Sequence, residues 1–171
     1  KKINKLLIVG CGLIGSSILK KVCKKKIAKK ILVFEKSKKN QRSLKRFKLK
    51  FQLIKKMDKK ISECDFIVIC TPLSEYKKIF LACNKYSKKN ILITDVGSAK
   101  RDTITKISRI KRKDINWISS HPIAGSEVSG PLNGNENLFI NKWSVIIKQK
   151  KSQTKEMKKI LRFWKLLGSK T

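Results

Sequence analysis

Apolar residues concentrate in short blocks at residues 6–9, 31–34, 66–70, 91–94, 115–118 and 144–147, broken only by Thr94, Asn116 and Ser144. Between them lie longer stretches with apolar residues at helical spacing, near residues 13–25, 41–48, 74–85 and 100–110. From Ser152 onward Met157, Ile160, Leu161, Trp164 and Leu167 recur at that spacing, and Gly168 is placed to end the helix. Strands that read as near-continuous apolar runs are covered on both faces, so the alternation predicts an α/β fold with a doubly wound, mainly parallel sheet. Residues 121–141 are rich in Gly, Pro, Asn and Ser and show neither period, which marks a long functional loop.

The first block runs into Gly10-Cys11-Gly12-Leu13-Ile14-Gly15, a Gly-x-Gly-x-x-Gly turn between a strand and a helix. Such glycines permit a tight turn, let backbone approach a pyrophosphate, and let helix pack closely on strand. Gly10, Gly12, Leu13, Ile14 and Gly15 are therefore candidate cofactor-binding residues of a Rossmann-type sheet. Glu35 follows Gly15 by 20 residues at the end of the second predicted strand. An acid there accepts hydrogen bonds from ribose hydroxyls and repels a 2′-phosphate, which favours NAD over NADP. Lys36, Lys38 and Lys39 beside it act in the opposite direction.

Two further segments carry chemistry. Thr94-Asp95-Val96-Gly97-Ser98-Ala99-Lys100 sits at the carboxyl end of a predicted strand, where open α/β sheets bind ligands. Ser98 there serves as a helix cap, a site group, or both. Ser119-Ser120-His121-Pro122-Ile123-Ala124-Gly125-Ser126-Glu127 holds the only histidine. Pro122 keeps His121 in extended geometry, and an imidazole titrates in the range that suits proton transfer at neutral pH. His121 and Ser98 are the candidate catalytic pair.

A formal charge of +33 alters this picture least where it looks largest. Only six of the 44 basic residues are arginine, the side chain suited to bidentate reading of phosphates and bases, and the lysines spread from end to end. Dispersed lysine points to drift in surface composition and not to a nucleic-acid face; clustering on one face is what a nucleic-acid binder requires. Five cysteines without a close pair read as reduced, mostly buried thiols, and no metal site is expected. No apolar run approaches the ~20 residues of a membrane span and no secretory segment opens the chain, so a cytoplasmic protein with no membrane partner is expected. Its length suits one dinucleotide-binding domain over residues 1–171.

In this order the three motifs resemble the prephenate/arogenate dehydrogenase family of tyrosine biosynthesis. The resemblance spans roughly residues 5 to 168 and includes Cys70-Thr71-Pro72 at a strand end, Gly130, and Asn137-Leu138-Phe139. It implies NAD-dependent oxidative decarboxylation of a small-molecule substrate, prephenate or arogenate, with Thr71 and Pro72 at the cofactor. His121 would take the proton of the ring hydroxyl, with Ser98 supporting it, and Ser126 and Glu127 would lie at a substrate gate. It also implies a homodimer for the full-length protein and a helical second domain, expected to be absent from these 171 residues. The alternatives are another Rossmann oxidoreductase of the hydroxyacid or imine-reducing type, against which the His-Pro-Ile-Ala-Gly segment argues, and a non-catalytic nucleotide-binding module.

Overall fold

The computed structural model describes residues 2–98, 101–125, 127–147 and 154–171. Strands β1 (Ile3–Val9), β2 (Ala28–Phe34), β3 (Gln52–Ile54), β4 (Phe66–Ile69), β5 (Leu92–Asp95) and β6 (Asn116–Trp117) form one sheet in the order β3-β2-β1-β4-β5-β6. All five pairings are parallel. The order reverses between β1 and β4, the arrangement of a doubly wound Rossmann sheet.

Alternate residues of each central strand enter different cores. Leu6 and Ile8 pack with α1 (Leu13–Lys24), with Leu44 of α2 (Lys38–Lys45), and with Ile160, Phe163 and Trp164 of α5 (Thr154–Leu167). Leu7 and Val9 pack with Tyr76, Ile79 and Phe80 of α3 (Tyr76–Tyr86) and Ile107 of α4 (Arg101–Ile110). Helices thus cover both faces, and residues 6–9 are fully buried. That is the physical reason those blocks lack polar alternation.

Several elements depart from the expectation. Residues 144–147 are not in the main sheet: as β8 (Ser144–Ile147) they pair antiparallel with β7 (Ser119–Pro122), His121 opposite Val145. The block at 115–118 shrinks to the two residues of β6. Strand β3 went unread because three residues on the sheet edge show no period. Helix α2 begins at Lys38, earlier than periodicity suggests, because Ser37 Oγ accepts a hydrogen bond from Asn40 N at 3.3 Å. Gly168 ends α5 with a φ of +104°, and Ser169 N donates to the Trp164 carbonyl.

The long loop turns back over α1 and becomes part of the core. Asn135 N donates to Ser17 Oγ at 2.9 Å, Lys20 Nζ to the Gly134 carbonyl at 2.7 Å, and Phe139 is buried edge-on against Trp164. Lysines such as Lys24, Lys39, Lys78, Lys106 and Lys158 stand exposed on each of α1 to α5. None of the five cysteines is in a disulfide. Among the described residues, no helix is long and apolar enough to cross a membrane.

Candidate active site

At the carboxyl ends of β1 and β4 the chain has little room for side chains. Gly10 has a φ of +85°, and a Cβ there would lie 2.7 Å from Thr71 Cγ2 and 2.9 Å from the Cys70 carbonyl oxygen. At Gly15 a Cβ would lie 2.1 Å from the Gly10 carbonyl oxygen. These two glycines are demanded by the fold itself. Gly12 is different: an added Cβ would meet nothing within 4 Å. The space above it lies at the start of α1, which has no side-chain cap and no acid in its first turn. Leu13 and Ile14 open that helix, so their N–H groups lack intrahelical acceptors and favour an anion.

Glu35 follows β2 directly, is only 7% exposed, and closes over the turn. Its Oε2 accepts from Cys11 N at 2.7 Å and its Oε1 from Ser37 N at 2.8 Å. Burial, and then the Glu35 charge, push the Cys11 thiol above its ordinary range, so it stays protonated. A cavity of about 900 Å³ opens here, lined by Gly10, Gly12, Glu35, Thr71 and Pro72. Lys36, Lys55, Lys56 and Lys78 line it as well. Thr71 Oγ1 is buried and without a partner among the described residues, an orphaned polar atom of a residue that lines this cavity. An uncapped helix start, a buried acceptor and an orphaned hydroxyl suit a dinucleotide.

The histidine lies further along the same edge, reached through consecutive backbone bonds. Cys70 N donates to the Val9 carbonyl at 2.7 Å, Val96 N to the Ile69 carbonyl at 3.1 Å, and the Val96 carbonyl lies 3.3 Å from His121 Nδ1. A carbonyl only accepts, so this bond requires Nδ1–H and leaves the Nε2 lone pair available to take a proton. Behind His121 sits a buried polar network centred on Asp95, which is fully buried. Asp95 Oδ2 accepts from Tyr76 OH at 2.7 Å and Gly97 N at 3.2 Å, and Oδ1 from Trp117 Nε1 at 3.1 Å and Ser119 Oγ at 3.0 Å. Ser120 Oγ donates to the Asp95 carbonyl at 2.6 Å and accepts from Trp164 Nε1 at 2.9 Å. Burial, and then Asp95, push the Tyr76 phenol upward, which keeps it a donor.

The structure gathers Gly10, Gly12, Glu35, Thr71 and Pro72 around one cavity, while Ser98 and His121 stand beyond it at the ends of β5 and in β7. Ser98 and Glu127 are exposed, and no hydrogen bond among the described residues joins either to His121. Ser126, Ala99 and Lys100 lie outside the described residues. Sequence reasoning missed Asp95, Tyr76, Trp117 and Trp164 as a unit. The one available signal was an acid closing the strand Ile91-Leu92-Ile93-Thr94-Asp95. No group of three or more His, Cys, Asp or Glu suited to a metal occurs among the described residues.

The family model described as prephenate dehydrogenase, nucleotide-binding domain, matches residues 18–171. The chain is 29% identical over 163 residues to a prephenate dehydrogenase of Lactococcus lactis subsp. cremoris, covering 93% of this chain and 44% of that protein. It is 24% identical over 165 residues to a cyclohexadienyl dehydrogenase of Zymomonas mobilis, covering 96% of this chain and 56% of that one. The solved prephenate dehydrogenase of Aquifex aeolicus in complex with hydroxyphenyl propionate and NAD+ superposes with a TM-score of 0.85 at 23% identity, over 99% of this chain and 59% of that one. The chain therefore spans about half the length of the relatives it matches.

Proposed function

Because the chain belongs to the prephenate dehydrogenase family by its nucleotide-binding domain, we propose that residues 1–171 act as one dinucleotide-binding domain of an enzyme that oxidatively decarboxylates prephenate or arogenate with NAD. The observation that carries the reading is His121, held through Nδ1 on the Val96 carbonyl at the sheet edge that also bears the glycine turn.

The cofactor supplies one piece of chemistry when bound, acceptance of a hydride from the ring carbon that bears the hydroxyl. Every other contribution comes from the chain. The start of α1 offers N–H groups and dipole to the pyrophosphate across the open space at Gly12, and Thr71 Oγ1 gains the partner it lacks. Glu35 accepts from the adenosine ribose, its carboxylate already oriented by Cys11 N and Ser37 N. His121 Nε2 takes the hydroxyl proton as the carbon becomes a carbonyl, and Ser98 supports that hydroxyl. Loss of the ring carboxylate as carbon dioxide then makes the ring aromatic. A substrate gate at Ser126 and Glu127, and a homodimer for the whole protein, belong to the same proposal.

The test is His121→Asn in the complete enzyme. NAD affinity stays within about twofold while turnover falls at least about a hundredfold, the scale of a lost general base. Unchanged turnover overturns the assignment. NADP has one observation in its favour, the four lysines lining the cavity with Glu35, and binding measured with both cofactors separates the two readings.

A further inference from the structure

We propose that Asp95 is a positioning residue for His121, holding the imidazole in the Nδ1–H tautomer with its Nε2 lone pair presented outward. This rests on reading His121 as the proton acceptor. Asp95 grips the two segments that bracket the imidazole. On one side, Oδ2 accepts from Gly97 N, which fixes the backbone just after Val96, whose carbonyl receives the Nδ1–H. On the other, Oδ1 accepts from Ser119 Oγ and the Asp95 carbonyl from Ser120 Oγ, the two residues that precede His121. Donor and acceptor of the Nδ1–H bond are thus referred to one buried carboxylate, as an outer partner sets the tautomer of a ligating or catalytic histidine.

The donors around Asp95 explain why a neutral isostere does not replace it. Each carboxylate oxygen faces an N–H that cannot reverse its role, Gly97 N on Oδ2 and Trp117 Nε1 on Oδ1. An asparagine turned either way sets its NH₂ against one of them. Sheet stability alone does not call for this arrangement, since a buried carboxylate is costly where an apolar side chain packs freely. The neighbouring strand β4 ends on the buried Ile69 at the equivalent level, opposite Asp95 in the register.

His121 is the only histidine, so long-range ¹H–¹⁵N NMR of the ¹⁵N-labelled 171-residue chain reads a single imidazole. Its Nδ1–H form is expected to dominate in the unsubstituted protein when the ring is neutral. Ser119→Ala removes the one bond from the histidine segment to the Asp95 carboxylate, leaving Ser120 Oγ on the Asp95 carbonyl, and shifts the Nδ1–H to Nε2–H ratio roughly three- to tenfold toward Nε2–H, the worth of one hydrogen bond. Tyr76→Phe removes a donor to the same carboxylate without touching that segment and leaves the ratio unchanged. Asp95→Asn, where it folds, shifts the ratio at least as far as Ser119→Ala. A ratio that Ser119→Ala leaves in place, or that Tyr76→Phe moves equally, overturns the proposal. The tautomer is read without turnover, so a failure here stands apart from a failure of the base assignment, which His121→Asn tests by rate.

Discussion

The glycine turn after β1 and the corner joining β5 to β7 share one edge of the sheet, yet they are made by opposite means. The turn works through missing side chains: Gly10 and Gly15 let backbone meet backbone, and Gly12 leaves room for something the fold does not contain. The corner works through buried polar groups, with Asp95, Tyr76, Trp117, Ser119 and Ser120 bonded to one another out of water. Absence of a side chain is a local property that a short motif can state. A buried polar network depends on partners drawn from four separate segments and is secure only when all of them arrive.

That contrast sets a graded series of substitutions. The largest effect on folding is expected for Gly15→Ala, whose Cβ would press on the Gly10 carbonyl at 2.1 Å. Backbone has to move, and a loss of about 3–4 kcal/mol by denaturant unfolding is expected. A loss below about 1 kcal/mol would mean the helix–strand contact yields more easily than its geometry implies. Next comes Asp95→Ala, which removes the acceptor shared by the Trp117, Ser119, Tyr76 and Gly97 donors. Relaxation shares the penalty among them, and about 2–3 kcal/mol is expected in the same measurement. Equality with a surface substitution would show that the corner is hydrated.

Smaller changes probe binding. Glu35→Ala is expected to lower the NAD to NADP affinity ratio about tenfold, or ~1.4 kcal/mol, measured by calorimetry with each cofactor. An unmoved ratio would remove the ribose role and leave the cavity lysines to decide selectivity. The smallest effect on folding is expected at Gly12→Ala, within about 0.7 kcal/mol, because the new methyl meets open space. NAD affinity is nonetheless expected to drop, since that space is where the proposed binding mode brings the pyrophosphate. If Gly12→Ala destabilised the free protein as much as Gly15→Ala, the division between glycines of the fold and glycines of the ligand would collapse.

Most of the main sheet was legible because its strands are buried on both faces and therefore read as continuous apolar blocks. Strand β3 was not, being three edge residues long with only Ile54 buried. The same reasoning misassigned residues 144–147 to the parallel sheet. Val145 and Ile147 are substantially exposed in β8, so an apolar run there reflects a small, half-covered hairpin and not a core strand. At the candidate site, the structure places Gly10, Gly12, Gly15 and Glu35 at the carboxyl ends of β1 and β2, and His121 in β7 against the segment that follows β5. Asp95 passed as one letter of a motif, because its importance lies in Trp117 and Ser119, more than twenty residues away.

By itself the sequence determined the alternation of strands and helices, the glycine turn and the isolated histidine, since each follows from local periodicity or from the chemistry of one residue type. Only the tertiary structure decided which glycine leaves open space, which carbonyl meets His121 Nδ1, and which carboxylate ties together the two segments around the histidine. Those are relations between segments far apart in the chain, and they come into being only when the main sheet lines up the ends of β1, β4 and β5 and the β7–β8 pair packs beside β5.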